Sequence, residues 1–425
     1  MIWTIAKREI AEAMVTGRVP LLFVLVVIVL GTGMLVMRND YQARLDAYAL
    51  VRPDGTEPVV AVPPSPLSVF ARELDDAMGR RFQISAVGIQ VGETQTSANP
   101  LFGAFPTPDW LFLFRVVLGL LAFLAGYDLI CREKAQGTLK LLLAGGASRG
   151  QIAAGKLLGG WLALLVPVAL AALLWLVLAG PLLSLYFRPG DGPAIATFLG
   201  LGAVYLTVCF SIAAALSALF HDQTTALVSA VLAWAVLVFV VPGSGALLAR
   251  QLVPVRPAAV VESENKQAFG RHMVGVFDEI RSAGSIPGHV EMEIFHAGWD
   301  RIHAEQDRIG EQAAAEAARL TRVAETMGRL SPAGAFQNAA ARVTGTSIHD
   351  ELALRRRLVE HKNSMLPAAF AHATASGGSF GEFLPPARSL GGVMADRRAD
   401  LAALALAAAL SLLAFFTAVR GYDVR

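Results

Sequence analysis

The sequence predicts an all-α membrane protein with six transmembrane helices and a mainly helical extracytoplasmic insertion between helices five and six. Three observations carry that prediction. Hydrophobic residues fill 55% of the 425 positions and charged residues only 16%, well below the roughly 25% charged of a soluble domain. Six apolar stretches approach or exceed the roughly 20 residues that a helix needs to cross a hydrocarbon core of about 30 Å. Between the fifth and sixth lies a long hydrophilic segment, of the usual size of a domain, with apolar residues at helical spacing.

In chain order, residues 1–19 form an amphipathic start. Trp3, Ala6, Ile10, Ala13 and Met14 share one helical face, with Thr4, Lys7, Arg8 and Glu12 on the other. Such a helix is expected in the cytoplasmic interface, its cations near lipid phosphates, as an anchor or as a mechanical part. The run to Met37 follows Lys7, Arg8 and Arg18, and Arg38-Asn39-Asp40 close it without a small-residue cleavage site, so it reads as an uncleaved anchor.

The spans are Pro20 to Met37, Trp110 to Ile130, Leu157 to Leu178, Ala194 to Phe220, Thr225 to Leu248 and Leu401 to Val419. They must be helical, because lipid leaves no partner for free backbone amides and these runs are too long for barrel strands. Lys7, Arg8, Arg18, then Arg132, Lys134, Lys140, Arg149, Lys156, and finally Arg420 and Arg425 gather at one side; the short loop after the third span has only Arg188. That asymmetry places both termini in the cytoplasm. Residues 38–109 and 250–400 then lie outside, and 420–425 form a cytoplasmic tail.

Within the second external segment, Pro287 and Gly288 precede a helical stretch from His289 to Leu330 carrying Met292, Phe295, Trp299, Ile302 and Ile309. A second stretch runs from about Ile348 to Ala375, which suggests a helical hairpin.

Composition excludes several functions. Lys and Arg total 36 against 34 Asp and Glu, which gives no electrostatic footprint for nucleic acid. Cys131 and Cys209 lie in or beside apolar spans, so no disulfide framework is expected. No catalytic residues are assigned: the spans carry no paired Ser and Lys or His, no H-E-x-x-H and no facing aspartates, and no filter motif marks a channel.

The most informative residues lie in the loop 131–156, which reads Cys131-Arg132-Glu133-Lys134-Ala135-Gln136-Gly137-Thr138-Leu139-Lys140-Leu141-Leu142-Leu143, then Ser148-Arg149-Gly150 and Gly155-Lys156. Glu133, Gly137, Thr138, Leu139, Leu142, Leu143, Ser148, Arg149, Gly155 and Lys156 stand where the ABC type-2 permease family carries a Glu, Gly-Thr-Leu, a Leu pair, Ser-Arg and Gly-Lys. The loop resembles that family, although Gly146 stands where members often have proline. Leu330-Ser331-Pro332, Ala335-Phe336-Gln337, Gly345-Thr346 and His349 are similar to a sequence preceding the last span in permeases with enlarged external domains, relatives of the nitrous-oxide-reductase maturation permease among them.

The resemblance implies a permease of the bacterial cytoplasmic (inner) membrane, more often an exporter, whose loop docks on an ABC ATPase. It implies two ATPase copies and a second permease half, identical or homologous, with ATP and Mg held by the ATPase and no cofactor in this chain. An apolar knob of Leu139, Leu142 and Leu143 rimmed by Glu133, Lys134 and Arg149 suits such a grip. A rival in the same family moves nothing through itself and transmits ATP-driven motion to an external partner.

Gly150 to Lys156 also reads G-x-x-x-x-G-K, but Leu157 follows where a P-loop needs Ser or Thr for Mg²⁺, and no strand precedes it. Nucleotide hydrolysis is therefore expected on another chain.

Two further features are candidates. Arg115 lies about five residues inside the second span, where a charge is costly; it either snorkels outward, or contacts substrate along its pathway or a partner. His289, Glu293, His296, Asp300 and His303 form one helical stripe. The reading adopted is a solvated polar face beside Met292, Phe295 and Trp299, with no metal ligand assigned.

Overall fold

The computed structural model describes residues 1–51, 59–72, 81–85, 88–91, 107–138, 144–188, 190–372, 383 and 398–421. It is an all-α membrane fold with six helices long and apolar enough to span a bilayer. In chain order the helices are α1 (Ile2–Val15), α2 (Arg18–Val51), α3 (Trp110–Ala135), α4 (Arg149–Leu183), α5 (Gly192–Leu219) and α6 (Gln223–Leu252), then α7 (Ala258–Ala283), α8 (Gly288–Gly328), α9 (Pro332–Thr344), α10 (Ile348–His372) and α11 (Arg398–Arg420). The spanning helices are α2 to α6 and α11.

Several helices run past the apolar stretches that announce them. α4 begins at Arg149, eight residues before the run that opens at Leu157, because Ser148 and Gln151 form a capping box that satisfies free N–H groups of its first turn. Asp222 caps α6 by accepting the Thr225 N–H at 2.9 Å. α2 has 34 residues, about 51 Å of helix, so it projects beyond the hydrocarbon core.

Two spans contain a π-turn, Leu113–Leu118 in α3 and Val236–Val240 in α6. Pro242 accounts for the second, since it has no N–H to offer the preceding turn and its ring crowds the backbone there. No proline explains the first.

Pairing of side chains marks two ends of the bundle. At one, Arg18 meets Asp128 and Arg149 reaches the Arg420 carbonyl; at the other, the Arg38 guanidinium donates to the Leu183 carbonyl at 2.8 Å. We call these the α1 end and the insertion end.

The insertion is mainly helical, and its hairpin is made by α7 with α8. Gly284, at φ +74°, and Pro287 turn the chain between them. Gly298 leaves room for Val276, and Phe269 meets Trp299 edge-on with centroids 6.0 Å apart. α10 instead covers a three-stranded antiparallel sheet, β1 (Val59–Ala61), β2 (Arg81–Ser85) and β3 (Gly88–Val91), in that order. Val60, Val62 and Phe82 bury against Leu354 and Leu358 of α10.

The main core sits where α3, α5, α9 and α11 meet. Phe336 of α9 is fully buried and stacks on Tyr205 of α5 at 5.0 Å. Phe114, Phe198, Phe70 and Trp110 continue the aromatic layer. Although α9 belongs to the insertion by sequence, its Ala333, Ala335, Ala339 and Ala340 are buried in this core, small side chains that let helix backbones approach closely.

Candidate functional site

Polar side chains concentrate at the α1 end, where α1, the end of α3 and the start of α4 converge. Helix α1 lies across α4 because Gly155 and Gly159 leave a groove. A Cβ on Gly155 would sit 2.7 Å from the Ile5 Cβ, and one on Gly159 2.9 Å from the Ala6 carbonyl oxygen. This G-x-x-x-G spacing is the close-packing device of membrane helices. The packed face of α1 therefore includes Ile5, Ala6 and Glu9, while Trp3 and Met14 remain about half exposed.

That contact delivers Glu9 to Lys156. The Lys156 side chain is only 2% exposed, and its Nζ lies 2.9 Å from Glu9 Oε2 and 3.0 Å from Glu133 Oε1. Glu133 also accepts a hydrogen bond from the Thr138 hydroxyl. Beside this triad, Arg132 lies 2.8 Å from Glu12 and 3.9 Å from Glu9, and Arg18 lies 2.9 Å from Asp128. A buried cation is tolerable only when carboxylates and hydrogen bonds surround it, and Lys156 has two carboxylates.

The turn leading into the loop is fastened to α5. Ser217 Oγ accepts the N–H groups of Ile130 and Cys131, each at 3.0 Å. Lys134 donates to the carbonyls of Ala218 and Phe220. Gly137, at φ +73°, ends the turn before Thr138. The residues leading into the loop are therefore tied to α1, α4 and α5 together.

Of the residues singled out by sequence, Glu133, Gly137 and Thr138 come together here. Ser148 and Arg149 stand at the start of α4, with Arg149 donating to the Arg420 carbonyl of α11 at 2.8 Å. Leu139, Leu142 and Leu143 lie outside the described residues. Sequence reasoning does not reach Glu9, Asp128 or Ser217, nor the role of Lys156. The one available signal is Lys156 itself, because a cation opening an apolar run needs a counter-charge.

Arg115 sits apart, at the insertion end, in the π-turn of α3. It donates to the Gln337 side-chain oxygen of α9, and its carbonyl accepts the Tyr205 hydroxyl at 2.7 Å. The second π-turn faces α9 too, since Ser331 donates to the Leu237 carbonyl. Arg329 at the foot of α8 lies 2.7 Å from Asp400, which is fully buried at the start of α11.

Also at this end, Asp109 accepts the N–H groups of Arg72 and Phe112, both at 2.7 Å. Burial raises its carboxyl to about 6, against the lowering effect of those two bonds and of the Arg115 and Arg72 charges. The Arg72 side chain is buried, with Asp40 at 3.1 Å.

The histidine stripe lies along α8. His289, Glu293, His296 and Asp300 are exposed and His303 is half-buried. Among the described residues no group of three or more His, Cys, Asp or Glu side chains gathers as a metal site. Burial, with Lys362 nearby, lowers the His303 imidazole below its ordinary value.

Comparison with known families gives one finding: the family model described as ABC-2 family transporter protein matches residues 3–419. No curated protein matches the chain.

Proposed function

Because the chain belongs to the ABC-2 transporter family, and so is the membrane permease component that works with an ABC ATPase, we propose that it is one half of an exporter of the bacterial inner membrane. In this reading two permease halves, identical or homologous, are driven by two ATPase subunits that hold ATP and Mg. Both termini face the cytoplasm, so the α1 end is the cytoplasmic end and the insertion is extracytoplasmic. In this reading the chain belongs to the subgroup with enlarged external domains, related to the nitrous-oxide-reductase maturation permease, which the similarity of its α9 region supports.

The observation that carries the reading is the buried triad of Glu9, Lys156 and Glu133 beneath the loop. A loop that receives force from an ATPase has to pass it on, and an ion-paired joint between three helices does so without slack. In this reading Leu139, Leu142 and Leu143 form the contact with the ATPase, rimmed by Glu133, Lys134 and Arg149; Gly137, Thr138 and Ser148 shape its flanks. Arg115 lines the substrate pathway.

Leu142→Asp tests the coupling assignment, since an unpaired carboxylate in an apolar contact is strongly unfavourable. The ATPase should no longer co-purify, or its activity should uncouple from transport, while the permease stays folded. Unchanged co-purification with normal transport would sink the assignment.

A further inference from the structure

Arg115 differs from Lys156, Arg72 and Arg329 in its choice of partner. Lys156, Arg72 and Arg329 each lie within 4 Å of a carboxylate. Arg115 has no carboxylate within that distance among the described residues; its side-chain partner is the neutral amide of Gln337. Its Nε is buried and makes no hydrogen bond among the described residues. Asp109 acts on it only through its field.

A guanidinium stays protonated in proteins and presents five donors in a planar fork that suits a carboxylate or phosphate. Five residues into α3 it lies about 8 Å below the helix start. A charge at such depth points to function by default. Its place in a π-turn that no proline explains adds to the case, because π-turns gather at functional sites.

The surroundings decide what kind of anion suits the fork. Arg115 lies in an apolar run with Phe114, Val116 and Val117 as chain neighbours; the Phe114 ring packs near Phe336, and the Tyr205 hydroxyl donates to the Arg115 carbonyl. A small hydrated anion would be stripped of its water on entering such a place, at a cost that a single partner does not offset. An anionic headgroup on an apolar body escapes most of that cost, because its body already favours the apolar phase.

We propose that Arg115 is the headgroup site for an anionic amphiphile bearing a carboxylate or phosphate, and that Gln337 is an internal placeholder displaced when the amphiphile binds. The proposal rests on the reading of Arg115 as a pathway residue and names its ligand class. Gln337 can yield by rotation of its side chain alone, with α9 staying seated in the core. When the amphiphile leaves, the amide returns to the guanidinium, so the cation is never left bare.

The test uses the full-length permease in nanodiscs of phosphatidylcholine. Phosphatidylglycerol in the disc is the lipid arm, decyl phosphate added to the buffer the soluble-amphiphile arm, and inorganic phosphate the bare-anion arm. The readout is the shift in thermal unfolding followed by tryptophan fluorescence. At least one amphiphile should raise the midpoint and inorganic phosphate should not; which amphiphile acts tells whether the ligand comes from the bilayer or from outside it. Arg115→Gln should weaken the response about tenfold, the equivalent of roughly one charged hydrogen bond. Arg115→Lys should fall between that variant and the parent. Gln337→Leu should strengthen the response several-fold, because the competitor is gone.

A Gln337→Leu variant that binds as poorly as Arg115→Gln would show a merely structural contact and overturn the proposal. So would a response to inorganic phosphate alone, a response indifferent to Arg115, or no response in any arm. Co-purification of the ATPase with the same variants separates the two levels: if it persists without amphiphile binding, only the ligand assignment fails.

Discussion

At the α1 end three cations lie against carboxylates, while Lys134 and Arg149 are held by backbone carbonyls. Lys156 touches two, and Arg132 and Arg18 touch Glu12 and Asp128. At the insertion end Arg72 and Arg329 have carboxylates too, but Arg115 is given only an amide. The first arrangement holds three helices in one register, because separating them would bare a buried charge. The second is easily exchanged, because a neutral partner gives up its hydrogen bond at small cost when a charged one arrives. One joint is thus built to hold and the other to exchange.

The sharpest way to break this comparison is to remove the cation at each end. Lys156→Met leaves Glu9 and Glu133 facing each other in a buried place and should cost about 3–5 kcal/mol, the range for stranding one half of a buried pair. Arg115→Met leaves only a neutral amide behind and should cost clearly less. Thermal unfolding of both variants in the same detergent measures the difference. Equal losses would mean that Arg115 is as structural as Lys156. Adding Glu9→Gln and Glu133→Gln to Lys156→Met should recover much of the stability, since no charge is then left unpaired.

The two ends were not equally legible. The six spans follow from apolar length alone, and the start of α4 could have been placed earlier from Ser148 and Gln151, whose spacing is that of a capping box. Arg115 stands out because a charge inside an apolar run is conspicuous in one dimension. The triad does not, because Glu9 and Lys156 are 147 positions apart and Glu9 looks like one more polar residue of an amphipathic helix. Gly155 and Gly159 carry the missing information, since they create the groove that admits α1. The small sheet escaped for another reason: strands of three to five residues are too short for alternation to declare itself. α9, rich in alanine and only 13 residues long, gives no sign in its own sequence that it enters the core.

The groove offers a second, gentler break. Gly159→Val would place side-chain atoms where the Glu9 Cβ and the Ala6 backbone now lie, 2.7 to 2.9 Å from the ideal Cβ position. Overpacking of this kind costs about 1–3 kcal/mol. α1 should lift from α4, carrying Glu9 away from Lys156 and leaving the contacts of Arg115 unchanged. Proteolysis near Gly17 should then become faster than in the parent protein. If α1 stays protected, the groove is not what seats it.

The smallest effect sharpens the comparison from the insertion end, through pH. Asp109 is ionised against the cost of burial, with its carboxyl raised to about 6 from an ordinary 3.8. Its partners are backbone N–H groups of Arg72 and Phe112, while the charged groups that act on it are Arg72 and Arg115. The folded chain therefore takes up a proton as pH falls through 6, and the unfolded chain does so only near 3.8. Stability from this group must rise as pH falls and decline as pH rises through 6. Between pH 7 and pH 5.5 the gain should be about 1 kcal/mol. Asp109→Asn, which cannot ionise, should lose this part of the pH dependence. A variant with the parent's slope would show that the carboxylate is better solvated than its burial implies.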